Sequence, residues 1–168
     1  MDKIESLKMR IAELEASEKE HRQRFIEISD FIENASTPLH WVNGSGIIIW
    51  ANKAELDMLG YSKEEFINRH ISKFHVKKDV IEDILYRLIN KETLINYPAE
   101  LLCKNGEIKS VLINSNVYWK DNEFIHTRCF TRDISDIKAK EKEQKLRIET
   151  LETRIKELEE RIQHSPSN

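Results

Sequence analysis

WVNGSGIIIWANKAELDMLGY, residues Trp41 to Tyr61, is the stretch whose reading decides the fold. An apolar run, Leu39 to Val42, enters the turn Asn43-Gly44-Ser45-Gly46, and a second run, Ile47 to Ala51, leaves it. Two short apolar runs around a turn rich in Asn and Gly predict a β-hairpin. Asn52 can then accept hydrogen bonds from the first free amides of a helix. Leu56, Met58 and Leu59 give that helix an apolar face, and Gly60 stops it. The predicted unit is strand, turn, strand, short helix. If Asn43 pairs with Gly46, alternation sets Val42 beside Ile47 and His40 beside Ile49 on one face, with Trp41, Ile48 and Trp50 on the other.

Downstream, Ser62 and Glu65 form a capping box for a helical turn that holds Phe66 and Ile67. A connector, Asn68 to Val76, carries His70 and His75. Lys77 to Lys91 reads as a helix with Val80, Ile81, Ile84, Leu85, Leu88 and Ile89 along one side. Three strands follow: Tyr97 to Cys103, Ile108 to Trp119 and Phe124 to Asp133. Lys104-Asn105-Gly106 and Lys120-Asp121-Asn122 supply the turns between them, since Asn and Gly tolerate positive φ. Pro98 cannot donate a strand hydrogen bond, which suits an edge.

Two heptad seams flank this middle. Ile4, Leu7, Ile11, Leu14, Glu18, His21, Phe25, Ile28 and Ile32 recur at alternating steps of three and four, as do Ile134, Ile137, Glu141, Gln144, Ile148, Leu151, Ile155, Leu158 and Ile162. Each seam is apolar but for two polar layers, the pattern of a coiled coil. A lone amphipathic helix is marginal in water, so the first seam predicts a parallel dimer, against the alternative of a helix folded back on its own domain. Pro38 ends the first helical segment. The second helix is expected to stop at Pro166, leaving His164 and Ser165 onward as a polar tail. The expected division is an N-terminal coiled-coil helix at 1–34, a domain at 35–135 and a C-terminal coiled-coil helix at 136–164.

The 168 residues allow one domain with a real core. Charged residues make up 34% and the net charge is −3. Both helical ends are charge-balanced, six basic and six acidic residues in 1–24 and eight of each in 134–168, so the excess lies in the middle. No basic face or recognition helix stands out, which argues against nucleic acid and against a one-component regulator that contacts DNA. No apolar run approaches the ~18 residues of a membrane span, and the N-terminus is a charged helix rather than a signal peptide, so a cytoplasmic location is expected.

The hairpin, the Asn52-Lys53-Ala54 triplet, Leu59 to Glu65 (LGYSKEE) and the ending Thr131-Arg132-Asp133-Ile134-Ser135, in this order and spacing, resemble the PAS (Per-Arnt-Sim) family over roughly Phe25 to Ile137. The resemblance implies an α+β fold, a five-stranded antiparallel sheet with helices on one face. It places Cys103 and Cys129 on strands separated by a third, so two reduced, buried thiols are expected. It also turns His40, Val42, Ile49, Leu101, Cys103, Val111, Ile113, Ser115, Ile125, Thr127 and Cys129 inward, as the lining of a candidate ligand pocket. Glu55 falls where one PAS photosensor has a buried glutamate facing its chromophore. A carboxyl and an imidazole facing one cavity could orient a polar ligand. Alternatively Glu55 is solvated and His40 is a core histidine bonded to backbone.

On the other face, Trp41, Ile48, Trp50 and Phe130, with Trp119 as an added member, would leave an apolar patch that soluble monomers rarely expose. The first helix leads into Phe31 and Ile32, so the patch reads as a helix-docking or intersubunit surface, or as one covered by the chain's own helix. Asp133, Ile134 and Ile137 would relay a change in the last strand to the second coil.

Cofactor signatures are mostly missing. Light-oxygen-voltage flavin sensors carry a reactive cysteine where this chain has Ile71. Oxygen-sensing haem PAS domains present a histidine from the long helix, and Lys77 to Lys91 contains none. His70 or His75 could bind haem from the connector. Flavin and haem are thus possible but not indicated. His126 and Cys129, three apart on a strand, point to opposite faces and make a poor metal pair. No phosphate-cradling glycine loop, G-x-S-x-G elbow, H-E-x-x-H, histidine-kinase core or GG[DE]EF loop is present, so no enzymatic activity is expected. The resemblance, closest to PAS segments of bacterial sensor histidine kinases, implies a homodimeric input module of a two-component system that acts on a kinase or other effector. The alternative is a dimerisation scaffold with no ligand.

Overall fold

The structure is a computed structural model and describes residues 2–163, so the expected tail from His164 and the stop at Pro166 lie outside the described residues. In chain order the elements are α1 (Lys3–Glu33), β1 (Leu39–Val42), β2 (Ile48–Ala51), α2 (Lys53–Leu59), α3 (Lys63–Phe66), a 3-10 turn (Ile71–Phe74), α4 (Lys78–Ile89), β3 (Leu94–Leu102), β4 (Ile108–Lys120), β5 (Glu123–Asp133) and α5 (Ser135–Gln163). The strands form the expected five-stranded antiparallel sheet, in the order β2-β1-β5-β4-β3.

Local chemistry accounts for the element ends. Asn52 caps α2 by accepting from the Glu55 amide, and Gly60 ends it at a φ of 76°. The Glu65 carboxylate accepts from the Ser62 amide at the head of α3. Positive φ at Gly106 and at Asp121 and Asn122 makes the two tight turns. Pro98 lies on β3, at one edge of the sheet. The other edge, β2, is covered by the connector: Ile48 and Asn68 exchange a hydrogen bond each with Arg69 and Ile48 carbonyls, and Ile71 donates to Gly46.

The core lies between the sheet and the helices. Phe66 and Phe74 meet at 4.5 Å between ring centroids, beside Leu59, Ile71, Ile81, Ile84 and Leu88 from the helical side and Val42, Leu94, Val111 and Ile113 from the sheet. Burying side chains of this size contributes about 1.5–3 kcal/mol each. Cys103 and Cys129 are both buried and both free; Cys129 lies on β5 and Cys103 just past the end of β3, with β4 between those strands.

Two registers differ from expectation. The Asn43 amide donates to the Ile47 carbonyl, and Val42 sits opposite Ile48. A bulge follows, so Trp41 faces Trp50 and His40 faces Ala51, with Ile49 the extra residue. Ile48 is therefore fully buried (0% exposed) and not part of the outer patch, while Ile49 is 41% exposed and not in the pocket. A second bulge between Tyr118 and Trp119 leaves Ile125 as the extra residue, only half-buried. Trp119 packs against the core rather than on the outer face.

Candidate functional site

The interior face gathers polar groups from five separate parts of the chain. His40 comes from β1, Glu55 from the first turn of α2, His75 from just beyond the 3-10 turn, and Ser115, Thr127 and Cys129 from β4 and β5. Strand alternation turns His40 and Val42 inward on β1, Ile113 and Ser115 on β4, and Thr127 and Cys129 on β5. Ser115 and Cys129 sit directly opposite on neighbouring strands, as do Cys129 and His40.

His40 Nδ1 and Glu55 Oε1 lie 3.0 Å apart, with both side chains buried. Neither the solvated Glu55 nor the backbone-bonded His40 of the bland alternative is found. Burial works against a charged imidazole, but the negative charge that Cys129 and Glu55 can carry, and the hydrogen bonds of both to the ring, outweigh it. His40 consequently holds its proton well above its ordinary value of 6.5. His75 goes the other way: burial, and then the charge of His40, bring it down to about 4. Two imidazoles facing one interior are thus driven apart, His40 towards the protonated form and His75 towards the neutral one.

His40, Val42, Ile113, Ser115, Thr127 and Cys129 line a cavity of about 20 Å3, closed on the helical side by Ile71, His75, Ile81, Ile84, Leu85 and Leu88. Besides Ile49 and Ile125, four expected members are elsewhere, of which Val111 is buried in the core without lining the cavity. Glu55 reaches the site only through His40. Leu101 is buried but pairs across the backbone with His75. Cys103 has its thiol 3.9 Å from the Met58 carbonyl and lines a separate groove beside Lys104 and Lys109. Leu101 lies on the edge strand β3 and Cys103 just past its end, and neither side chain lines the cavity. In the sequence His75 reads as a connector histidine, either solvated or capping or able to bind haem; the structure sets it at the cavity. Its place in the chain, next to the turn that buries Phe74, was the available signal. Ile71 does line the cavity.

On the opposite face, Trp41 stacks on His126 at 4.3 Å between ring centroids and meets Trp50 at 4.7 Å with the rings tilted by 40°. The end of α1 stands over this cluster, where Phe25, Ile26 and Ile32 line a cleft with Trp41 and Trp50. Phe31 does not join them and is 74% exposed, because its helical position points it away from the sheet. Phe130 is exposed on the outer face.

The exit from the sheet is tightly held. Asp133 accepts from Lys109 Nζ at 2.7 Å and from the Ser135 amide at 2.9 Å. The Ile134 amide donates to the Ser110 carbonyl, and the Ser110 amide donates to Ser135 Oγ. Ile137 lies exposed on the first turns of α5.

The sequence profile of the family described as PAS domain matches residues 36–136. Among solved structures, the chain is similar to the PAS domain of an HTR-like protein from Haloarcula marismortui, at 19% identity and a TM-score of 0.62, covering 71% of this chain and 99% of that one. It is also similar to a domain of a sensory box sensor histidine kinase/response regulator from Geobacter sulfurreducens, at 18% identity and a TM-score of 0.57, covering 66% and 94%. A PAS domain from Colwellia psychrerythraea matches at 21% identity and a TM-score of 0.58, covering 67% and 98%. No curated protein matches the chain.

Proposed function

The chain belongs to the PAS domain family, and from that premise we propose that it is a signal-input module: a dimeric sensor that passes the state of its interior through α5 to an effector such as a histidine kinase. The observation that carries this reading is the continuity of β5 with α5. Thr127 and Cys129 line the cavity, and six residues further along the same chain α5 begins, pinned by Asp133 and Ser135 to Lys109 and Ser110. A rearrangement at the cavity therefore has a short covalent path to the helix. Only a differential preference of the two interior states for two helix arrangements would make that path a switch.

A homodimer is supported by the two seams. The apolar residues of α1 from Ile4 to Ile28, and of α5 from Ile137 to Ile162, stay largely exposed on a single chain, and a second copy could bury them. The sensory rather than catalytic role rests on the family. Among the described residues no helix is long and apolar enough to cross a membrane, and no group of three or more His, Cys, Asp or Glu could hold a metal ion.

The test is oxidative cross-linking of Leu151→Cys in the otherwise unchanged chain and in the Glu55→Gln background. A change in cross-linking rate of severalfold between the two supports relay. Equal rates in a dimer that forms in both would leave the scaffold reading.

A further inference from the structure

Two polar groups in the interior are unused by the signalling reading. The Ser115 hydroxyl is buried without a hydrogen-bond partner, and so is His75 Nδ1. Both side chains line the cavity of about 20 Å3. Thr127 lines it too, and its oxygen already accepts from the Val42 amide at 3.0 Å, which leaves the hydroxyl hydrogen to be donated. A buried polar group without a partner carries a desolvation cost that native proteins rarely leave uncompensated.

The volume decides the chemical class of the partner. One water needs roughly 10–15 Å3 of cavity and two to four polar neighbours, and this cavity offers both. An aromatic cofactor needs a pocket of ~300 Å3 or more. Charge narrows the choice further. His75 is neutral at pH 7, because burial and the charge of His40 depress it to about 4, and His40 already faces the Glu55 carboxyl at 3.0 Å, so the lining does not call for an anion. A neutral molecule that both donates and accepts serves His75 in either tautomer and serves a serine hydroxyl in either role.

We propose that the interior cavity is a binding site for a single water molecule, held between Ser115 Oγ and His75 Nδ1 with Thr127 as a third neighbour. This deepens the reading of the interior as the sensing site: the resting occupant is water, and a signal molecule must displace it or part α4 from the sheet. The water also joins the neutral histidine to the strand that leads to α5.

Oxygen-17 magnetic relaxation dispersion on the full chain counts long-lived internal waters. The wild-type protein is expected to hold one more than Ser115→Val, whose added methyl fills the space and whose hydroxyl is gone. Should that variant not fold, NMR on the unmodified chain gives a second readout, a cross-relaxation peak between water and the His75 ring. Equal counts in the two proteins, or no such peak, overturns the proposal. So does stoichiometric release of a small organic molecule on denaturation, which would leave the signalling reading standing. Invariant Leu151→Cys cross-linking would do the reverse, sinking relay and leaving the water site intact.

Discussion

At the scale of single residues, the buried His40–Glu55 pair bears most directly on stability. Taking a carboxylate and an imidazolium out of water costs several kcal/mol per ion, and only the partner offsets it. Glu55→Gln alone strands the His40 charge in the interior and should cost about 3–5 kcal/mol in urea unfolding, while replacing both residues by apolar ones of similar size should cost much less. The pH dependence has two limbs. His40 is raised, so its contribution is complete below 6.5 and is lost as pH climbs through its folded value. His75 is depressed, so its contribution is complete above 6.5 and is lost as pH falls towards about 4. The urea midpoint plotted against pH should therefore form a dome. His75→Gln should flatten its acid limb, and Glu55→Gln its alkaline limb.

At the scale of elements, Asn52 is the joint. Its Oδ1 accepts from the amides of Leu39 at 2.9 Å and Glu55 at 3.1 Å, and its Nδ2 donates to the Thr37 carbonyl at 2.9 Å and lies 3.3 Å from those of Ile32 and Ala35. One fully buried side chain thus fastens the end of α1, the start of β1 and the head of α2. Asn52→Ala should cost about 2–4 kcal/mol, since several buried backbone groups lose a partner at once, and hydrogen exchange at Leu39 and Glu55 should rise with it. The capping role of Asn52 was legible in the sequence. Its grip on α1 was not, because those carbonyls precede it by fifteen to twenty residues. The same limit explains the hairpin. Periodicity assigned both strands, but the bulge at Ile49 depends on the connector pairing with β2, a contact no local pattern encodes. A one-residue slip exchanges the faces, and so Ile48 and Ile49 traded places. Gly46 marks that contact: a Cβ there would collide with the His70 ring, and its φ is 76°. Gly46→Ala should cost about 1–3 kcal/mol and expose the β2 edge, readable as faster exchange of the Ile48 amide.

At the scale of the whole molecule, the sheet and its helices form a closed core, whereas the apolar residues of the two seams stay exposed on a single chain. Leu151 is 53% exposed on α5, and an isolated 29-residue helix with so polar a surround gains little from its own side chains. The strength of the proposed α5 pairing should then be set by its layers, and Glu141 and Gln144 are the weak ones. They sit between Ile137 and Ile148, close to the pinned exit at Asp133 and Ser135, where a change in β5 would first arrive. Polar residues at seam positions specify register while lowering stability, which lets a coil splay at limited cost. Replacing them with Glu141→Ile and Gln144→Leu should tighten the dimer, raising its thermal midpoint and shifting its sedimentation equilibrium to lower concentration. The same pair of changes should erase the difference in Leu151→Cys cross-linking between wild-type and Glu55→Gln interiors, because a uniformly apolar seam leaves the helices one arrangement to occupy. A tightened dimer that still carries the full difference would mean that the signal does not pass through this part of the coil.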